Sequence, residues 1–174
     1  MNDAKSGRLA KGQLIDLEVD SAGYQGLAVA RLDGLVVFVK NGVPGDRVRA
    51  RVTGRKRNYA ETVVEEIIRE SEHRVTPECR YFGICGGCAW QNMDYSQQLI
   101  FKRRQVQEIF EHLGGWESQE IRPTLPSPEP YYYRNKMEFT FKASRWLTSE
   151  EIQSQEKVSR DFALGLHVPR RWDK

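Results

Sequence analysis

Residues 47–52 read Arg-Val-Arg-Ala-Arg-Val, an alternation without exception. Successive side chains of a strand point to opposite faces, so this segment buries its small apolar half and leaves three guanidinium groups outside. The same period of two recurs upstream, where Ile15, Leu17 and Val19 alternate with Asp16, Glu18 and Asp20. That is the pattern of a half-buried strand. A turn around Gly23 leads into a segment over 26–31, and Asp33-Gly34 is a hairpin signal. Residues 35–39 form a short apolar strand, and Asn41-Gly-Val-Pro-Gly-Asp46 makes the next turn. A last strand is predicted from about 59 to 67. Five short strands in about sixty residues predict a small closed or nearly closed barrel of the oligonucleotide-binding type.

The barrel carries a basic stripe. Arg47, Arg49, Arg51, Arg55, Lys56 and Arg57 lie in a run, 47–57, that contains no acid. Three guanidinium groups on one strand face, continued by a basic turn, can follow a phosphate backbone, and Tyr59 nearby can stack on a base. A solvated sheet face is the bland alternative. The absence of acids from the run favours RNA as partner. Net charge is only +3, so the distribution of charge carries this argument and not its total.

All three cysteines fall within ten positions, Cys79-Arg-Tyr-Phe-Gly-Ile-Cys85-Gly-Gly-Cys88. Thiolate is a soft ligand suited to iron–sulfur clusters and to zinc. Gly83, Gly86 and Gly87 let the backbone curl between ligands, and Phe82, Ile84 and Trp90 are candidate apolar walls. Either metal wants four ligands; His73 or another histidine is a candidate fourth ligand for zinc. A disulfide is disfavoured by the odd count and by an N-terminus too polar for a secretory signal. No apolar run is long enough to cross a bilayer, so no membrane partner is expected and a reducing cytoplasm is.

Residues 69–78 read as a polar linker. Asp94 is the predicted N-cap of a helix over 95–113. Leu99, Val106, Ile109, Phe110 and Leu113 recur at helical spacing as its buried face, and Gly114-Gly115 ends it. Lys102, Arg103 and Arg104 belong on the exposed side. A stiff proline-containing connector over 123–130 precedes a strand over 131–141, with Met137, Phe139 and Phe141 sharing one face. A helical turn at 149–157 and a second strand over 162–167, paired with the first, follow. The expected divisions are thus a barrel over 1–70, a cysteine loop over 71–92, and a helix with strands over 93–174. His73, His112 and His167 lie far apart, and no catalytic constellation is evident.

Taken together, three features resemble the RNA uracil-5-methyltransferases, in particular the branch acting on 23S ribosomal RNA. Gly26-Leu-Ala-Val-Ala-Arg-Leu-Asp-Gly34, with Phe38-Val39 and Val43-Pro-Gly-Asp46, resembles the TRAM domain, that family's RNA-binding barrel. The loop Cys79-x5-Cys85-Gly-Gly-Cys88 with Gln91 resembles its iron–sulfur loop. Tyr133-Arg-Asn-Lys-Met137 and Gly165-Leu-His167 resemble the start of its central sheet domain. The resemblance implies a mainly β fold with an α+β part: a five-stranded barrel, a cysteine loop, a helix, and part of a central domain.

It further implies a [4Fe–4S] cluster on Cys79, Cys85 and Cys88, with a fourth cysteine that this chain lacks. The family's methyl transfer from S-adenosylmethionine belongs to a Rossmann-like domain whose cysteine adds to C6 of uracil, and that domain is also absent from the sequence. The expectation is an RNA-recognition part, inactive alone and holding the cluster poorly. Its two C-terminal strands would expose edges through which copies associate. A free-standing RNA-binding module with a structural metal is the competing expectation.

Overall fold

The structure, a computed structural model, describes residues 9–116, 120–155, 157–159 and 161–166. It is mainly β. Five strands run in order: β1 (Leu14–Ala22), β2 (Ala28–Leu32), β3 (Leu35–Lys40), β4 (Arg47–Arg55) and β5 (Tyr59–Arg69). They close into a barrel in the order β1-β2-β3-β5-β4, every pairing antiparallel except β3 with β5. Each predicted strand is present, and the predicted hairpin turn is there too, with Asp33 and Gly34 at φ 48 and 79.

The inward half of the alternation fills the barrel. Leu17, Val19, Ala28, Ala30, Val37, Val39, Val48, Ala50 and Ala60 form one buried cluster. Four of these are alanine, which suits the narrow interior of a five-stranded barrel, where larger side chains would not interdigitate.

Two compact units emerge. The first comprises the barrel, its extension to residue 78, and Ala89–Pro128; the second comprises Cys79–Cys88 and residues from Glu129 onward. In the first unit helix α1 (Tyr95–His112) begins at the predicted cap, where the Asp94 side chain accepts from the Ser96 amide at 2.9 Å. Its docking face differs from the predicted one. Phe101 is its buried residue, in a cluster with Ala22, Val43 and Met93, while Val106, Ile109 and Leu113 are exposed. Gln98 and Gln105 flank Phe101 on the same face. Gln98 Nε2 donates to the Trp90 and Met93 carbonyls at 3.0 and 2.9 Å, and Gln105 Nε2 to the Ala22 and Gly23 carbonyls at 3.0 and 2.9 Å. The surface beneath the helix offers carbonyl oxygens, so amide donors at this spacing make the contact that an aliphatic stripe could not.

The second unit holds a two-stranded antiparallel pair, β6 (Thr140–Lys142) with β7 (Ala163–Gly165), and the short helix α2 (Ser149–Gln153). The two predicted strands do pair, but the alternation over 131–141 becomes strand only in its last residues. A strand is assigned where a partner binds it, and β7 offers three residues. His167 lies outside the described residues. Among the described residues no helix is long and apolar enough to cross a membrane.

Candidate nucleic-acid interface and cysteine loop

The period-two pattern of β4 does what it predicts: Val48, Ala50 and Val52 are fully buried, and Arg47, Arg49 and Arg51 lie on the outer surface. Their surroundings are less basic than the run itself. Barrel closure puts β1 on one side of β4 and β5 on the other, and both carry acids on the outer face. Arg49 Nε donates to Asp16 Oδ1 at 2.9 Å and Arg49 Nη1 to Glu66 Oε2 at 3.0 Å. Arg51 Nε donates to Glu65 Oε1 at 2.5 Å. The Arg49 hydrogen bond holds the Asp16 carboxyl below its ordinary range, and Asp16 in turn raises Arg49. Exposed pairs of this kind are screened by solvent and contribute little to stability. Their larger effect is to match two of the three stripe arginines with carboxylates. Arg47 faces Glu18 in register and makes no ion pair among the described residues.

The β4–β5 turn is different. Lys56 and Arg57 are exposed there and make no ion pair among the described residues. Arg55 turns back, its Nη1 donating to the Tyr59 carbonyl at 3.2 Å, and that carbonyl also accepts from the Lys56 amide at 2.9 Å. Tyr59 is half-buried and packs edge-to-face on Phe38, ring centroids 5.4 Å apart.

At the end of the barrel a buried ion pair ties the polar linker down. The Asp46 side chain, fully buried, accepts from the Val43 amide at 2.6 Å, the Ser71 amide at 2.9 Å, and Arg74 Nε and Nη2 at 3.1 and 2.5 Å. Arg74 Nη2 and Asn92 Nδ2 both donate to the Asn41 carbonyl, at 3.0 and 3.1 Å. The turn at 41–46 therefore clasps residues 71–74 and 92, and Arg74 bridges to Met93. In the sequence Asp46 is a turn residue and Arg74 belongs to the polar linker. An acid closing a tight turn beside strictly buried neighbours was the available signal, but its partner lies 28 residues away.

In the second unit, the cysteine loop turns tightly. Phe82 and Ile84 amides donate to the Cys79 and Tyr81 carbonyls at 2.9 and 3.1 Å, and Gly83 and Gly86 take the left-handed φ values of 78 and 70 that favour glycine. Cys79 and Cys85 line a cavity of about 560 Å³ together with Tyr81, Arg145, Trp146 and Phe162. Cys88 is exposed and is not in that lining. The donor chemistry suits a soft metal, yet among the described residues no three His, Cys, Asp or Glu side chains gather as a metal site. Trp90, expected as a wall of the loop, packs instead against the Ala22–Val43–Met93–Phe101 cluster of the first unit. His73 lies in the first unit, 3.7 Å from Glu72.

Thr148 and Glu151, at the start of α2, also line the cavity. Thr148 caps α2 in a capping box with Glu151, a Thr-x-x-Glu signature legible in the sequence but not read there. Arg145 donates to both Glu151 oxygens, at 3.0 and 2.8 Å, which with the Thr148 amide lowers the Glu151 carboxyl to about 2. The pair stays ionised at neutral pH.

Comparison with known proteins places the barrel. Residues 8–64 match the TRAM domain family. An uncharacterized RNA methyltransferase of Bacteroides thetaiotaomicron is 40% identical over 150 residues, covering 86% of this chain and 33% of the relative. One of Porphyromonas gingivalis is 40% identical over 164 residues, covering 91% and 35%. Among solved structures, the tRNA (uracil-54, C5)-methyltransferase of Pyrococcus abyssi, in complex with S-adenosyl-L-homocysteine, is 28% identical with a TM-score of 0.38, covering 55% of this chain and 21% of that one. The chain spans about a third of the length of the curated relatives it matches. Residues 8–64 are thus a TRAM domain, in a chain similar to RNA methyltransferases over most of its length.

Proposed function

We propose that this chain is the RNA-recognition part of an S-adenosylmethionine-dependent RNA uracil-5-methyltransferase acting in the cytoplasm on ribosomal RNA, the 23S species by resemblance. The observation that carries the reading is the TRAM barrel at residues 8–64 in a chain similar to RNA methyltransferases across most of its length. Support for the uracil-5 branch comes from the cysteine loop and the Tyr133–Met137 and Gly165–His167 motifs of the sequence. The division of labour is a barrel over 1–70 that grips RNA, a cysteine loop over 71–92, and a helix and strands over 93–174 that begin a central domain. Methyl transfer resides outside these residues, and the chain alone is inactive. Copies of it associate through the exposed edges of β6 and β7.

RNA contact by the barrel is tested by salt. Phosphate contacts release counterions, so the slope of binding against salt counts the cations engaged. Lys56 and Arg57 face solvent without acidic partners among the described residues, whereas Arg49 and Arg51 are matched. Lys56→Ala/Arg57→Ala is expected to weaken RNA binding and flatten the slope by about 1.4 units for a single strand. Arg49→Ala/Arg51→Ala is expected to change the slope less. An unchanged slope in the turn variant would reduce the basic turn to a solvated surface.

The same reading gives the loop a [4Fe–4S] cluster on Cys79, Cys85 and Cys88, with the fourth ligand outside this sequence. Three thiols in ten positions with left-handed glycines between them support it. Protein prepared anaerobically is expected to contain iron and acid-labile sulfide at low occupancy, and Cys85→Ser to contain neither. Stoichiometric zinc without sulfide in protein from iron-replete cells overturns it.

A further inference from the structure

Outside β4, the barrel has a second outer face, and its composition is different. Ala28, Ala30, Val37, Val39, Ala60 and Thr62 point into the barrel. Alternation therefore sets Val29 and Arg31 of β2, Val36, Phe38 and Lys40 of β3, and Tyr59 and Glu61 of β5 on the outside. Register makes them neighbours: Val29 opposes Phe38, Arg31 opposes Val36, and Val36 opposes Tyr59. The centre of this face is thus half-exposed apolar and aromatic surface, with the Phe38 and Tyr59 rings at 72° to each other. Two rings at that angle make a corner: a flat aromatic solute that stacks on one meets the edge of the other.

Cations border this surface. Lys40, Lys56 and Arg57 are exposed and make no ion pair among the described residues. Arg31 has one loose exposed contact, 3.9 Å from Asp20. The acid on the face, Glu61, is directed toward β4: its Oε2 lies 3.3 Å from where a side chain on Gly54 would begin. Both aromatic positions are fixed by backbone ties. Thr62 Oγ1 donates to the Phe38 carbonyl at 3.0 Å, and the Tyr59 carbonyl takes its two bonds from Arg55 and Lys56. A rigid aromatic corner bordered by unmatched cations has the chemistry of a stacked base between phosphates. A duplex hides its base faces, so the chemistry selects single-stranded RNA.

We infer that the outer face of β2, β3 and β5 is the base-stacking surface for single-stranded RNA, with Phe38 and Tyr59 as the platform and Lys40, Lys56 and Arg57 on the phosphates. This rests on the reading of the barrel as an RNA-binding domain and names the face and the nucleic-acid form it takes. The acid-free run lies on β4, but the acids of β1 and β5 match Arg49 and Arg51 there, while Lys40, Lys56 and Arg57 beside this face make no ion pair among the described residues.

The test uses the 174-residue chain and three probes: a 12-nucleotide oligoadenylate RNA, the same oligomer with abasic riboses, and a 12-base-pair RNA duplex. The intact single strand is expected to bind about tenfold tighter than the abasic one for each stacked base. Phe38→Leu and Tyr59→Leu keep apolar bulk and remove the ring. Each should lose about tenfold on the intact strand and nothing on the abasic one, while Tyr59→Phe binds like the parent. Equal losses on both strands, or no loss on either, overturn the platform. If the parent binds intact, abasic and duplex RNA alike with a steep salt slope, RNA binding by the barrel stands and the stacking surface fails. If it binds none of them, the functional reading itself fails and this inference with it.

Discussion

Asp46→Ala is expected to cost about 3–5 kcal/mol of stability, the usual penalty for removing one partner of a buried ion pair. The carboxylate is fully buried and serves four donors, the Val43 and Ser71 amides and two nitrogens of Arg74. Without it, the Arg74 guanidinium, 12% exposed, keeps among the described residues only the Asn41 carbonyl, and two buried amides lose their acceptor. For a chain of this size that loss lowers the melting temperature by roughly 10 °C. Asp46→Asn keeps the volume but puts an amide donor where four donors converge, so it should also destabilise. Arg74→Met on top of Asp46→Ala should recover part of the loss, because an apolar pair strands no charge. Arg49→Ala is the control, since its pairs are solvent-exposed and should leave the melting curve nearly unchanged. Coincident melting curves for Asp46→Ala and the parent would show that the clasp is not what ties residues 71–74 to the barrel.

That clasp and the matched stripe share a reason for escaping a linear reading. The strands were legible because each carries its own period of two and its own turn residues, all within ten or so positions: Asp33-Gly34 for one hairpin, Val43-Pro-Gly-Asp46 for the next turn. Pairing between strands is another matter. Asp16 reaches Arg49 from 33 positions away and Glu66 from 17, so an acid-free run of sequence became a surface with acids beside it once the barrel closed. The β6 alternation shows the converse limit. Met137, Phe139 and Phe141 have the right period, but only the last lies in a strand, since the partner is short. The cysteine spacing was legible as soft-ligand chemistry, while the placement of Cys88 away from the cavity that Cys79 and Cys85 line depends on how the whole loop turns.

Helix α1 gives the sharpest contrast between pattern and packing, and the second large effect. Phe101→Ala is expected to cost about 3–5 kcal/mol, as aromatic-to-alanine changes in cores do. Phe101, 9% exposed, fills the space between Ala22, Val43 and Met93 with Trp90 alongside. Its loss leaves a cavity under the middle of the helix, and the Gln98 and Gln105 amides on either side then hold α1 by hydrogen bonds alone. Such bonds contribute about 0.5–1.5 kcal/mol each, so the helix should open before the barrel does. Hydrogen exchange reads this directly: α1 amides should exchange faster in Phe101→Ala while the amides of β3 and β5 change less. Leu113, 83% exposed, belongs to the apolar stripe that helical periodicity selects. Leu113→Ser should therefore fall within about 0.5 kcal/mol of the parent, as surface substitutions do. If Leu113→Ser destabilised as much as Phe101→Ala, the stripe of Val106, Ile109 and Leu113 would be the docking face and the glutamine-flanked contact incidental. Burial and the four carbonyl acceptors beneath Gln98 and Gln105 favour the opposite result.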